Sequence, residues 1–310
     1  MACLTAFYDL AVSPASYDFA TFLAIADIAR QANEIERLHV VIVPAPTHTG
    51  FRIDHKPNTT ENKIWRRDHL LVPLCRLVGA THTVCATRDG AQMYMTAAEH
   101  VWPPQYKLTA PAALYMMGHY RSIAQQAGVK ASFRASEQAR DWVNQWRVPG
   151  KDYITLTMRE TYTDARNSNR PAWDEFRKYA TYKGYWVVTI PDTERAGRGE
   201  PLGGIAAINP DVRLALYEGA AMNLGVNNGP LSLCWYTDCP HLTFKMVTPG
   251  WPSTEQSFFE RQGFPVGSQY PLSRADQKLI WQDDTFENIR NAFDAWAETL
   301  DGHKHVQRAS

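Results

Sequence analysis

Three arginines, Arg159, Arg166 and Arg170, stand in the single stretch MRETYTDARNSNRPAW, directly behind an apolar run that reads as a strand. A guanidinium offers a planar fork of N–H donors suited to diphosphate oxygens, and a helix starting near Pro171 adds the positive end of its dipole. The same arginines can instead pair with Glu160 and Asp164 in a solvated loop. Their place at a strand end favours phosphate, because open parallel sheets bind ligands beyond the carboxyl ends of their strands. Two more segments fall at such ends. Pro191-Asp192-Thr193-Glu194 follows YWVVTI and sets Asp192 and Glu194 where a ribose diol can be held, or where an acid simply caps the next helix. In Asn227-Asn228-Gly229-Pro230 the glycine admits close approach of a ligand to backbone N–H groups, although Asn-Gly is also a common turn. In the first half, Asp18 opens an apolar helix behind a strand, as a general base for an acceptor hydroxyl or as an ordinary N-cap. Asp9, within the preceding strand, is the second candidate base.

The elements that must position these groups repeat one grammar. Leu4 to Val12 reads as a strand, Phe19 to Arg30 as a helix and Leu38 to Val43 as a buried strand, the βαβ unit of a parallel sheet. Thr47 to Arg67 is polar and reads as a long loop. His69 to Val78 reads as a helix, His82 to Thr87 as a strand and Ala91 to Thr109 as irregular chain. Ala112 to Ala127 and Ser136 to Trp146 read as helices, with Pro149-Gly150 breaking the chain. The second half restarts with a strand from Tyr153 to Met158, a helix from Trp173 to Tyr182 and a strand from Tyr185 to Ile190. Then come a helix Leu214 to Ala221, a strand Met222 to Val226, a helix Pro230 to Tyr236 and a strand Leu242 to Val247. Asp284 to Leu300 closes as an amphipathic helix with Phe286, Ile289, Phe293, Trp296 and Leu300 on one face.

The 310 residues suit two α/β domains, expected over 1–148 and 149–283, with 284–310 as a helix returning to the first domain and a tail. Lysine plus arginine balances aspartate plus glutamate at 32 each, so no overall field draws the chain to nucleic acid or an anionic membrane. The five cysteines lack the spacing of a disulfide scaffold, and Cys234 and Cys239 with His241 nearby do not make a zinc motif. The start reads as a strand rather than a signal peptide, and no apolar run is long enough to span a bilayer. A cytoplasmic protein without a transmembrane segment is expected, and the Asn58-Thr59-Thr60 sequon carries no weight there. His48, His55, His69 and His119 have no pattern that marks a base. Trp102 and Trp251 lie in proline-containing stretches where a sugar face or a base can stack.

The strand, the loop RNSNRPAW, the helix, the strand ending in PDTE and the segment ALYEGAAMNLGVNNGPLSLCWYTDCPHLTF together resemble the nucleotide-binding half of GT-B glycosyltransferases, closest to the lipopolysaccharide heptosyltransferase-like group. That resemblance, over roughly Tyr153 to Phe244, implies two Rossmann-like doubly wound domains facing a cleft. It implies a metal-independent hexosyl- or heptosyl-type transferase without a cofactor, taking a nucleoside diphosphate sugar as donor and a glycan, lipid-linked or protein acceptor, in the cytoplasm or peripherally at the inner membrane face. Arg159, Arg166, Arg170, Asp192, Glu194, Asn227, Asn228, Gly229 and Pro230 would bind donor, and Asp18 or Asp9 would be the base. The group usually has Asn-Asp-Ser-Gly-Pro where this chain has Asn-Asn-Gly-Pro, and a glycine before the acid at Asp18. Epimerisation or hydrolysis of a sugar nucleotide, or binding without catalysis, are the alternatives on such a fold.

Overall fold

The computed structural model describes residues 2–53 and 58–308, with the side chains of residues 300–308 left out; His55 and the Leu300 side chain lie outside the described residues. The chain divides into two units. The first runs to Arg140 and takes in Ile208–Ala215 and Tyr270–Leu272; the second holds Asp141–Ala207, Leu216–Gln269 and the chain from Ser273. The break expected at Pro149-Gly150 is a turn inside the second unit, with Gly150 at φ 72°.

In the first unit, β1 (Cys3–Asp9), β2 (Arg37–Val43), β3 (Thr81–Val84) and β4 (His100–Trp102) form a parallel sheet in the order β3-β2-β1-β4. The helix Asp18–Ala32 crosses from β1 to β2. Its residues from Phe19 to Ala29 are buried all round, as an apolar sequence without a polar face requires. Tyr8 meets the rings of Phe19 and Phe22 edge-on at 4.6 and 5.0 Å. Asn33 ends the helix by donating its side-chain amide to the Ala29 carbonyl at 2.7 Å.

Two expectations for this unit are corrected. The polar stretch before Arg67 contains a helix, Thr60–Arg66, begun by the Thr59 hydroxyl accepting the Asn62 N–H at 3.2 Å. It continues through a wide π turn, Arg67–Leu71, into Val72–Leu77. Ala91 to Thr109 is also more regular than its sequence suggests. It holds most of the helix Arg88–Ala97, capped by the Thr87 hydroxyl, and then β4. Only Ala91 of that helix is buried, so no apolar face marks it in the sequence.

In the second unit, β5 (Tyr153–Thr157), β6 (Trp186–Ile190), β7 (Met222–Val226), β8 (His241–Phe244) and β9 (Gln277–Leu279) make a parallel sheet ordered β6-β5-β7-β8-β9. The helix Pro201–Ile208, absent from the sequence reading, crowds β6 so closely that a Cβ on Gly203 would fall 2.0 Å from the Thr189 carbonyl oxygen. The glycines that look like breakers in PLGGIAAI allow that approach. The segment Pro230–Trp235 is a 3-10 helix.

The final helix, Phe286–Arg308, corrects another expectation. Ile289, Phe293 and Trp296 pack in the second unit's own core against Trp173 and Phe176 of the helix Arg170–Tyr182. Phe176 and Phe293 meet edge-on at 5.2 Å, and the Tyr179 hydroxyl donates to Asp294 at 2.7 Å. An apolar stripe must be buried somewhere, and the aromatic face of Arg170–Tyr182 already offers a surface to it.

Candidate nucleotide site and candidate base

Because the second sheet is parallel, its carboxyl ends share one edge. Arg159 follows β5, Asp192 follows β6, Asn227 follows β7 and Lys245 follows β8. The basic loop folds back on that edge. The Arg159 N–H donates to the Ser168 hydroxyl at 2.9 Å, and the Ser168 N–H donates to the Arg159 carbonyl at 3.0 Å. Asn167 braces the loop by accepting the Thr161 N–H at 2.9 Å and donating to the Thr161 carbonyl at 2.7 Å. Buried Asp284 accepts the Asn169 N–H at 2.7 Å and the Trp173 indole N–H at 2.8 Å. The Lys245 ammonium donates to the Asn167 carbonyl at 3.1 Å and lies 3.6 Å from Asp284. The loop is therefore built, not merely solvated.

Its three arginines meet different fates. Arg170 is exposed and paired with Glu160 at 3.1 Å and Asp174 at 3.2 Å, and Glu160 also takes Arg195 at 3.1 Å. Arg166 has its guanidinium carbon 5.9 Å from the Trp251 ring centroid. Arg159 is set apart: among the described residues its buried Nε has no hydrogen-bond partner, and its side chain hydrogen-bonds only the Thr161 hydroxyl, at 3.4 Å. Burial pulls the Arg159 pKa down, and the nearby Asp192 charge opposes that pull.

The remaining donor-side candidates divide in the same way. Asp192 accepts the Glu160 N–H at 3.3 Å, whereas Glu194 is exposed. Asn228 is buried and turned inward, donating to the Val226 carbonyl at 2.8 Å and accepting the Leu231 N–H at 2.9 Å. Asn227 donates to the Met246 carbonyl at 3.1 Å. Both asparagine side chains thus brace the turn. Gly229, at φ −58°, has a backbone open to any residue, and Pro230 starts the 3-10 helix. Lys245 went unnoticed in sequence. Its φ of 51° is uncommon for a lysine, and nothing in LTFK distinguishes it from a strand residue.

In the first unit, Asp9 is closed off. Arg88 donates to both of its oxygens at 3.0 and 2.9 Å, the Tyr106 hydroxyl donates at 2.7 Å and the Ala11 N–H at 2.9 Å. Burial and the hydrogen bond to Asp9 push the Tyr106 phenol up, so it stays a donor. Asp18 differs. Tyr17 occupies the cap position without a side-chain cap bond, and Asp18 is the first helical residue, half-buried, accepting from the Ser16 hydroxyl at 2.6 Å. It is not the N-cap that its sequence position suggests. After burial, the Asp18 charge is the next cause raising the Tyr8 phenol. Arg52 sits in the same neighbourhood, donating to the Val12 carbonyl at 2.7 Å and the Tyr115 hydroxyl at 3.1 Å. A cavity of about 410 Å³ beyond β2 and β3 is lined by residues including Thr47, His48, Arg67 and Thr87.

Trp102 is part of β4 rather than a loop, His69 lies beside Trp65, and burial lowers the pKa of His119. Among the described residues no three His, Cys, Asp or Glu side chains are grouped to hold a metal, and no helix is long and apolar enough to cross a membrane.

No protein-family model matches the chain. No curated protein matches it in sequence either. Among solved structures, the ADP-heptose lipopolysaccharide heptosyltransferase II of Escherichia coli aligns with 97% of this chain and 100% of its own, at 11% identity and a TM-score of 0.51. The chain has the GT-B glycosyltransferase fold. Lesser likenesses are to the iron-containing dodecameric glycosyltransferase TibC of enterotoxigenic E. coli, over 96% of this chain and 77% of that one at 14% identity and TM-score 0.49. A family 9 glycosyl transferase from Veillonella parvula aligns over 79% and 80% at 10% identity and TM-score 0.42. In a GT-B fold each half is a parallel α/β unit, as both sheets here are. Identity this low carries the fold and leaves the chemistry to be argued from the site.

Proposed function

We propose that this protein is a glycosyltransferase that moves a hexosyl- or heptosyl-type sugar from a nucleoside diphosphate donor to a glycan, lipid-linked or protein acceptor in the cytoplasm, without a metal or cofactor. Arg159 carries the proposal. A partly buried guanidinium at a strand's carboxyl end, with its Nε unpartnered, has no hydrogen-bonded anion among the described residues and only the nearby Asp192 charge against its desolvation. A diphosphate supplies such an anion in the geometry an arginine fork suits best. Asp192 stands at the next strand end for the ribose, and the turn Asn227 to Pro230 completes the edge.

In the reaction, the acceptor oxygen bonds to the anomeric carbon while the bond from that carbon to the diphosphate oxygen breaks. The acceptor proton passes to Asp18, and the diphosphate leaves with its negative charge held by Arg159. Asp9 is unsuited to the task because its oxygens are already taken by Arg88, Tyr106 and Ala11.

Isothermal titration with ADP, UDP, GDP and CDP tests the donor half. One of them should bind, and Arg159→Ala should weaken it by roughly one to two orders of magnitude, since a charge-assisted hydrogen bond is worth about 1.5–3 kcal/mol. Arg159→Met should melt at or above the wild-type temperature, because it removes a desolvated charge and keeps the packing. Unchanged affinity in a folded Arg159→Ala protein would refute the site. For the base, Asp18→Asn should keep nucleotide affinity and lose transfer by about 10²-fold or more. Equal transfer by that variant would leave the carboxylate without a role.

A further inference from the structure

A second cavity, of about 500 Å³, lies within the first unit at the amino end of β3, the opposite edge of the sheet from Asp9 and Asp18. The helix Val72–Leu77 ends there and turns through Gly79, at φ 66°, into β3. The segment 131–136 forms the facing wall. Ala131, Phe133 and Ala135 are buried, while Ser132, Arg134 and Ser136 alternate with them and stand exposed, the two-residue period of extended chain. The Arg134 N–H donates to the Leu77 carbonyl at 2.7 Å, and buried Asp27 accepts both the N–H and the hydroxyl of Ser132 at 2.7 Å. Arg134 is thereby fixed beside the last turn of the helix, which bears Arg76, and both arginines line the cavity. Among the described residues neither side chain makes an ion pair or a hydrogen bond. The lining carboxylate, Asp211, is occupied: one oxygen accepts the Ser136 N–H at 2.8 Å and the other the Ser136 hydroxyl at 2.6 Å. The Arg76 charge is felt locally, since after burial it is the next cause lowering the His82 imidazole. A helix dipole gives Arg76 a mild reason to stand in a last turn, but Arg134 lies outside any helix and has none.

We propose that this cavity is a second ligand site, which binds a phosphate ester through Arg76 and Arg134. Two guanidinium forks against one occupied carboxylate leave the lining with net positive charge. A phosphate has oxygens enough for forks from both walls, whereas a carboxylate is satisfied by one. The space suits a small phosphorylated molecule, and its exposed rim also admits a phospholipid headgroup. The site does not depend on the nucleotide-binding reading above, because its residues all belong to the first unit.

The test compares wild type, Arg76→Ala/Arg134→Ala and Arg159→Ala in titrations with glycerol phosphate and in co-sedimentation with phosphatidylcholine vesicles lacking or containing phosphatidic acid. Both arginines are exposed, so the double variant should melt as the wild type does. Binding of glycerol phosphate would make the site one for a small phosphorylated molecule, and binding of the phosphatidic acid vesicles alone would make it a headgroup site. In either case the double variant should bind at least about tenfold more weakly, while Arg159→Ala binds as the wild type does. The Nε–H resonances of Arg76 and Arg134 should also shift with the bound probe, a readout in the unmutated protein that decides the matter even if the alanine variant is unstable. A wild type that binds neither probe, equal binding by the double variant, a loss confined to Arg159→Ala, or unmoved Arg76 and Arg134 resonances would each overturn the site.

Discussion

The carboxyl edges of the two sheets are built alike and charged differently. Behind β1, the carboxylate of Asp9 is fully exploited by Arg88, Tyr106 and a backbone N–H. Behind β5, Arg159 is partly buried with its Nε out of water, and among the described residues its side chain has a single long hydrogen bond, to a hydroxyl. Burial with partners holds a structure together, whereas burial without them invites a ligand. The charge at β1 is therefore part of the fold, and the charge at β5 is available for function.

The contrast breaks most visibly at Asp9. Asp9→Ala strands Arg88 among the Pro44 and Leu108 carbonyls with no counter-charge and should cost about 3–5 kcal/mol in urea unfolding. A loss under 1 kcal/mol would mean that the pair is not structural. Phe293→Ala should cost a similar amount, about 3–5 kcal/mol, by opening a cavity in the second unit's core. A small loss would mean that the final helix is peripheral to that core.

Pattern alone revealed the strands that pair at the centre of each sheet, because β1, β2, β5 and β7 are short buried runs with few polar residues. It missed β4 and β9, which are only three residues long and too short to show a period. It also missed helices whose apolar face is thin, such as Arg88–Ala97. The final helix was legible as amphipathic, but its partner was not, since a stripe of Phe286, Phe293 and Trp296 specifies only that it be covered. At the candidate site, sequence located the basic loop and favoured Arg166 for the diphosphate, with Arg159 and Arg170 as the alternatives. Their separation arises from tertiary neighbours: Asp174 and Glu160 for Arg170, Trp251 for Arg166, and a lack of partners for the Arg159 Nε. Lys245 became visible only through a backbone angle and a contact to Asn167.

Alkaline pH sharpens the comparison with a smaller effect. In the first unit, burial pushes the Cys75 thiol from 9.0 up to about 12 and also raises Cys85, Tyr8 and Tyr106. In the second unit, Tyr153 and Tyr179 are raised, also chiefly by burial. A group whose pKa is higher folded than unfolded gives full stability below its unfolded pKa, and that stability is lost as pH rises toward the folded value. Between about pH 9 and 12 the unfolded Cys75 ionises first, and its share of stability should fall by about 1.4 kcal/mol per pH unit. Hydrogen exchange across this range should open the helix Val72–Leu77 and its sheet before β5 and β7. Cys75→Ala should remove part of the slope, and opening of the second unit first would contradict the expected order.

The smallest expected effect belongs to Arg170, which in sequence is, like Arg159, an alternative to Arg166. Its side chain is 55% exposed; its partner Asp174 is exposed on the same helix, and its partner Glu160 is only 12% exposed in the same loop. Exposed pairs of this kind contribute about 0–1 kcal/mol, because water solvates the separated charges nearly as well as they solvate each other. Glu160 would keep Arg195 as its partner after Arg170→Ala, so no carboxylate is left buried and alone. Stability should change by less than about 0.5 kcal/mol, and the affinity for a nucleoside diphosphate by less than about threefold. Calorimetry beside Arg159→Ala decides the matter. A loss at Arg170 as large as that at Arg159 would mean that an exposed, paired arginine serves the ligand as well as the half-buried one, and that the difference between the two sheet edges does not locate the phosphate.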